Sequence, residues 1–404
     1  MSSTESTSAL VEHPTFHRDP LTKLLYGLHA YMGFLFVAPA VFLPRLRDEL
    51  GLGYGVTAAH IAVSAAGSMV AAALLPRLER AFTRRTLIWC GVAGTAVGEL
   101  LLTVAHHPAV SIGAMAVIGL SFAPVVAMLA AVLADVHGEN RAIAITEGSM
   151  FGAGGSVLTP VLVGGIAALV PAVGWRGALA MGAAFGLALP IALRHRTFVD
   201  GGTLGEERAA SLPKAVHLRS FLLFASVTVE ICVTFLGPTY LRDSVGFSQG
   251  AAASLSAVFL IAVVAGRAAG SRLSRRVSTP RLLAVSFLVT SVGFTALWAT
   301  TSQVPAAIGY AVVGLGVANF FPLGLSLVAA AAPDRSGAAI SRCMLVSSVA
   351  ALSGPLALGA LADATDIRIA FGIVAVALAA AMAALAMITR PDRAAPVVGT
   401  ATPR

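Results

Sequence analysis

Six stretches of the chain carry no charged residue over a length that matches a bilayer: 24–44, 50–76, 148–175, 244–266, 343–362 and 369–389. A helix needs about 20 apolar residues to cross a hydrocarbon core about 30 Å thick. Two longer runs each hold two crossings. One covers 86–134, broken only by Glu99, and turns around His106-His107-Pro108; the other covers 282–333 and turns at Ser302-Gln303-Val304-Pro305. Twelve spans follow, near 23–44, 55–76, 86–105, 109–134, 142–169, 174–194, 220–241, 250–271, 282–301, 304–331, 337–361 and 368–389. The apolar runs are continuous rather than alternating, so the spans are expected to be helices and not barrel strands. A composition that is 57% hydrophobic and 11% charged excludes a soluble globule.

The cations set the orientation. Arg45, Arg47, Arg176, Arg242 and Arg368 fall on one side and Arg342 within a span, which leaves 21 of the 27 Lys and Arg on the side of the two termini. That bias places both termini in the cytoplasm of a multi-pass protein of the cytoplasmic (inner) membrane. The net charge of +8 is then a positive-inside signature that engages anionic lipid, and no nucleic-acid partner is expected. Some twenty polar residues precede the first span, which lacks a small-residue cleavage pattern and is expected to remain as an anchor. Cys90, Cys232 and Cys343 lie in apolar spans at no metal-ligand spacing, so packing is their expected role, with no metal, cofactor or disulfide.

The hexapeptide LRDELG at 46–51 returns as LRDSVG at 241–246, and the offset of 195 residues extends over the whole half. AVIGLSFA at 116–123 falls on AVVGLGVA at 311–318; Ile145, Pro160 and Gly164 fall on Ile340, Pro355 and Gly359. With three residues dropped, Trp175-Arg176 pairs with Ile367-Arg368. The expected layout is a segment 1–22, a six-helix half 23–195, a charged linker 196–219, a second half 220–390 and a tail 391–404. Such a parallel repeat has its axis along the membrane normal.

In helix count, central linker and arginine-rich loops after the second and eighth spans, the chain resembles the major facilitator superfamily. The family's loop signature, Gly-x-x-x-Asp-Arg-x-Gly-Arg-Arg, is partly kept in PRLERAFTRR at 76–85. Arg84 and Arg85 match, Pro76 and Thr83 replace glycines, and Glu79 stands one place early. Its copy GSRLSRRVSTPR, 270–281, keeps Gly270 and has no acid. The fifth span, GSMFGAGGSVLTPVLVGG at 148–165, is similar to an antiporter pattern with one extra residue and with Thr159 before Pro160; a close-packing ridge of Gly148, Gly152 and Ser156 is the favoured explanation. The resemblance implies a secondary transporter whose halves rock about a central site lined by the first, fourth, seventh and tenth spans.

Each ionisable group within a span costs about 3 kcal/mol on insertion scales and so needs a reason. Glu230 lies near the middle of the seventh span beside Thr228, Cys232 and Thr234, and is read as a proton-carrying or substrate-binding carboxylate, or else as an inert neutral acid. Glu147 and Arg342 are equivalent by the repeat and opposite in charge. They are expected to form cytoplasmic latches, Glu147 with Arg267 or Arg272 and Arg342 with Glu79. Glu99 and His60 share a depth and are expected to pair as a structural or protonatable couple. His29 and Tyr31 on the first span and Asn319 and Phe320 on the tenth, in NFFPLGLS at 319–326, complete the candidate binding residues.

No nucleotide-binding Gly-x-x-x-x-Gly-Lys-Ser/Thr stretch is present, so an ion gradient is the expected energy source. The leading expectation is a monomeric, proton-coupled exporter of a small organic molecule. The alternative is a proton- or sodium-coupled symporter importing a sugar or organic acid, and a non-transporting membrane sensor ranks below both. No span offers a nucleophile and base or a metal cluster, which argues against an enzyme.

Overall fold

The computed structural model describes residues 17–170, 174–192, 213–274, 276–332 and 336–390. Residues 1–16, the greater part of the expected linker and the tail from 391 onward lie outside the described residues. The helices are α1 (Pro20–Leu50), α2 (Tyr54–Ala81), α3 (Arg84–Thr103), α4 (Pro108–His137), α5 (Arg141–Leu169), α6 (Gly174–Ala192), α7 (Lys214–Asp243), α8 (Gln249–Leu273), α9 (Thr279–Trp298), α10 (Gln303–Val317), α11 (Phe320–Ala330), α12 (Ser336–Ala364), α13 (Ile367–Ala370) and α14 (Gly372–Thr389). There is no strand among the described residues. Eleven apolar spans are long enough to cross a membrane, α10 with α11 and α13 with α14 each counting as one, and α6 is the twelfth. The start of α1 and the end of α14 lie at one face, the termini face; the α1–α2 and α7–α8 turns lie at the opposite, loop face.

The tenth span, expected to be one helix over 304–331, is broken at Ala318–Asn319. Pro322 has no N–H to return to the Ala318 carbonyl one turn earlier, so the ladder lapses there. Elsewhere the sequence dictates the ends directly. Asp19 caps α1 through the Thr22 N–H at 2.7 Å, ahead of Pro20 in the first turn. Gly51 and Gly246, the last residues of the two hexapeptides, take φ of 61° and 84°, a left-handed conformation that favours glycine.

Individual helix contacts recur in the two halves at the 195-residue offset. A Cβ on Gly119 would lie 2.0 Å from the Ser64 carbonyl oxygen, and one on Gly314 would lie 2.6 Å from that of Phe259. Glycine and carbonyl are each displaced by 195 residues. Arg176 donates to the carbonyls of Leu102, Thr103 and Ala105 at the end of α3, and Arg368 donates to Trp298 at the end of α9. Since lipid is as apolar as leucine, helices in a bilayer are held by such close backbone approach more than by apolar burial. The fifth-span glycines do this too: a Cβ on Gly155 would sit 1.8 Å from the Ala30 carbonyl oxygen, and Ser156 donates to Gly33 O at 2.9 Å. Gly119→Ala and Gly314→Ala should each destabilise the protein by about 1–3 kcal/mol, seen as a lower thermal midpoint in detergent. Gly113→Ala, whose Cβ meets nothing within 4 Å, should leave the midpoint unchanged.

Candidate functional site

The repeated hexapeptide closes the loop face. Arg47 Nη1 of α1 donates to Asp243 Oδ2 of α7 at 2.6 Å, and Arg242 Nη1 of α7 donates to Asp48 Oδ2 of α1 at 2.5 Å. Each pair is the other with the halves exchanged. Asp243 also accepts from the Tyr54 hydroxyl at 2.8 Å and from Arg242 Nε at 2.6 Å, which makes it the hub. Beside it, the first N–H groups of α2, on Tyr54 and Gly55, donate to the two Asp363 oxygens of α12 at 2.6 and 2.7 Å. Gly53 gives α2 no cap of its own, whereas Ser248 at the equivalent place caps α8. A carboxylate from the other half therefore supplies both the missing cap and a charge at the positive helix end. Every side-chain hydrogen bond joining two described residues of different halves lies at this face. An exposed ion pair contributes about 0.2–1 kcal/mol, so a latch of several such contacts holds and still releases.

A second polar cluster lies midway along α7. Glu230 Oε1 is 3.9 Å from Arg267 Nη2 of α8; the side chains are 22% and 47% exposed. Arg267 Nε also approaches the Ala318 carbonyl at 3.4 Å, the one freed by Pro322. Asn319 donates to Gly266 O at 3.1 Å, and a Cβ on Gly270 would strike its amide. The break in the tenth span is thus built around α8, and Gly266 and Gly270 leave room for it. Asn319 serves this packing rather than a binding surface. Phe320 is fully buried with its ring centroid 4.7 Å from that of Phe287, so it does not line a cavity. Thr228 and Cys232, two residues from Glu230 and hence on the far side of the helix, face Gly354 of α12.

The other expected charge pairs do not form, and one physical reason covers all three. Side chains lean toward the start of their helix, so groups at one depth on antiparallel neighbours diverge. Glu147 on α5 leans to the termini face, where Arg18 donates to it at 2.8 and 2.5 Å and the Tyr26 hydroxyl at 3.0 Å; Arg267 leans inward to Glu230. Arg342 on α12 leans out and is exposed, while Glu79 on α2 leans in, its carboxylate oxygens buried without a hydrogen-bond partner. Arg272 is exposed, with no ion pair among the described residues. Glu99 on α3 leans inward and accepts from the Tyr31 hydroxyl at 3.0 Å, whereas His60 on α2 leans to the loop face and bonds Ser111 Oγ at 2.8 Å. His29 is buried, with Nδ1 2.9 Å from Leu25 O, against Gly148 of α5.

The loop-face latch is the functional feature that sequence reasoning missed. Its signal was in view: adjacent opposite charges, repeated at the half-chain offset, meet their copies across a two-fold axis.

The chain is similar to known proteins over nearly its full length. The model of the Major Facilitator Superfamily matches residues 24–227 and 219–403. An uncharacterized MFS-type transporter of Yersinia pestis is 24% identical over 384 residues, 93% of this chain and 97% of that protein. Among solved structures, a bacterial homolog to the human lysosomal transporter Spinster, inward-facing and occupied, superposes with a TM-score of 0.73 at 14% identity, over 91% of this chain and 92% of that one. The nucleoside transporter NupG gives 0.73 at 12% identity, covering 92% and 100%. With the family model matching both halves of a twelve-span repeat, the chain belongs to the Major Facilitator Superfamily.

Proposed function

We propose that this protein moves a small organic molecule across the cytoplasmic membrane by alternating access, its two halves rocking about the Glu230–Arg267 cluster with a proton as coupling ion. The observation that carries this reading is the latch of two hexapeptide copies at the loop face. Contacts that join halves at one end of a bundle have to break for that end to open. The Lys and Arg bias makes the loop face the outer one, so the latched arrangement is closed toward the outside. Glu230 lies about 20 Å below the latch, from 13 residues of helical rise. Among the span carboxylates away from the termini face it has the loosest partner, since Glu99 is closed on Tyr31.

Export, the leading expectation from the sequence, drew on the fifth-span glycines and on a lone acid. Those glycines seat α1, and the acid stands beside an arginine, so neither feature now argues for export.

Three outcomes are expected. Asp243→Asn, which removes the hub of the latch, should expose the loop-face interior. A single cysteine at Ala253, buried at the base of the latch, should then react several-fold faster with an external impermeant maleimide, in a background lacking Cys90, Cys232 and Cys343. An unchanged rate would remove the latch from the cycle. Alkaline phosphatase should be active when fused after Leu52 and inactive when fused after Arg390; the reverse would invert the topology. Expression of the wild type should shift the distribution of at least one metabolite between cells and medium, and Glu230→Gln or a proton uncoupler should abolish the shift. A shift indifferent to both would take the proton out of the mechanism.

A further inference from the structure

Arg267 is an arginine within a span with most of its donors unengaged. A guanidinium carries five N–H donors. Here one approaches the Ala318 carbonyl at 3.4 Å, and the nearest carboxylate oxygen, on Glu230, lies at 3.9 Å, beyond hydrogen-bond distance. Its side chain is 47% exposed, and a guanidinium at this depth faces the protein interior, since lipid would exclude it. It is built as a receptor rather than as half of a closed pair: Pro322 frees a carbonyl to hold one edge, and Gly266 and Gly270 let α8 approach the break closely. The approach from the termini face is positive as well. Arg272 and Arg342 are exposed there, while Glu147 is neutralised by Arg18 and the Glu79 oxygens are buried. Such a rim draws anions inward. Farther toward the loop face, rings from both halves meet: Phe36 of α1 lies edge-on to Phe235 of α7 at 5.6 Å and 6.1 Å from Phe122 of α4.

We propose that the substrate is an organic monoanion, bearing a carboxylate, sulfonate or phosphodiester group that takes Arg267 from Glu230 while its apolar or aromatic body lies toward the Phe36, Phe122 and Phe235 rings. The proposal rests on the transport reading above and sets its direction. In the empty site the arginine and carboxylate cancel. An added monoanion alone would leave one net negative charge in the middle of the bilayer, whereas a monoanion together with a proton on Glu230 restores neutrality. Anion and proton therefore move together, and an inward proton gradient drives uptake, the second of the two directions expected from the sequence.

The groups around Glu230 agree with this. α8 brings Arg267, and α10 brings Tyr310, whose hydroxyl donates to Val233 O at 3.4 Å. α11 and α14 carry no titratable residue. On α1, Tyr26 and Tyr31 are held by Glu147 and Glu99; on α12, Cys343 contacts Ser220, Asp363 caps α2 and Arg342 is exposed near the termini face.

The test uses the purified full chain and four probes of similar body size: benzenesulfonate, methyl phenyl phosphate, the cation benzyltrimethylammonium and neutral benzyl alcohol. Both anions should raise the thermal midpoint, with apparent affinity falling tenfold or more in Arg267→Gln and unchanged in Arg281→Gln. Arg267→Lys, which keeps the charge and loses the fork, should fall between. Glu230→Gln should bind the anions several-fold more tightly, because the competitor for Arg267 is gone; a residue that merely held the fold together would not do so. In proteoliposomes with a lumenal pH dye, external anion should acidify the lumen with wild type and not with Glu230→Gln. Stabilisation by the cation instead of the anions, anion binding that survives Arg267→Gln, or weaker anion binding in Glu230→Gln would each overturn the proposal. The cysteine-accessibility measurement on Asp243→Asn tests the alternating-access reading separately and can succeed where this one fails.

Discussion

A charge placed in hydrocarbon has to be answered by the protein, and that constraint organises this bundle more than any apolar contact does. Glu99 is answered by a tyrosine hydroxyl, Glu147 by an arginine from ahead of the first helix, and the carbonyls at the ends of α3 and α9 by one arginine each. Each solution is local to one half. Among the described residues Glu79 near the end of α2 keeps no hydrogen-bond partner, and deeper in the bundle Glu230 and Arg267 face one another across a gap that neither closes. In a chain with so few charges within its spans, that gap marks the place where a mobile species completes the electrostatics.

The fold was legible because its signal is coarse. Span length, turn residues and the 195-residue offset depend on composition averaged over many positions, and they survive small errors in boundary. The break in the tenth span needed finer reading. Pro322 leaves the Ala318 carbonyl without its donor, yet Pro124 in the corresponding half interrupts nothing in α4, which runs unbroken from Pro108 to His137. The difference lies in α8, whose glycines accept the Asn319 amide and make the break a packing solution.

Charge pairing was less legible because sequence depth locates a Cα, not a charged group several ångströms away. The lean of side chains toward their helix start separated Glu147 from Arg267, Glu79 from Arg342 and Glu99 from His60. The same rule applied beforehand would have sent Arg267 toward Glu230. For the loop-face latch, no long reach was involved: Arg47 and Asp48 end one helix, Arg242 and Asp243 end its copy, and the pairs follow from the axis alone.

That last geometry has a consequence for how the chain is put together. A helix end reading Arg-Asp that pairs with a second Arg-Asp end is self-complementary, so the contact is isologous: it needs two copies of one surface and no specialised partner. One six-helix half could make it with another identical half. Joining the halves in one chain raises their effective concentration without altering the contact, and what the single chain adds is the asymmetric part, Tyr54 on Asp243 and Asp363 on the start of α2. Those additions tie α2 to α7 and to α12 and leave α5 and α8 without a counterpart of Asp363, since Ala168 stands at the equivalent position. The two sides of the loop face are therefore unequally tied: among the described residues the α2–α12 side carries hydrogen bonds across the halves, and the α5–α8 side carries none.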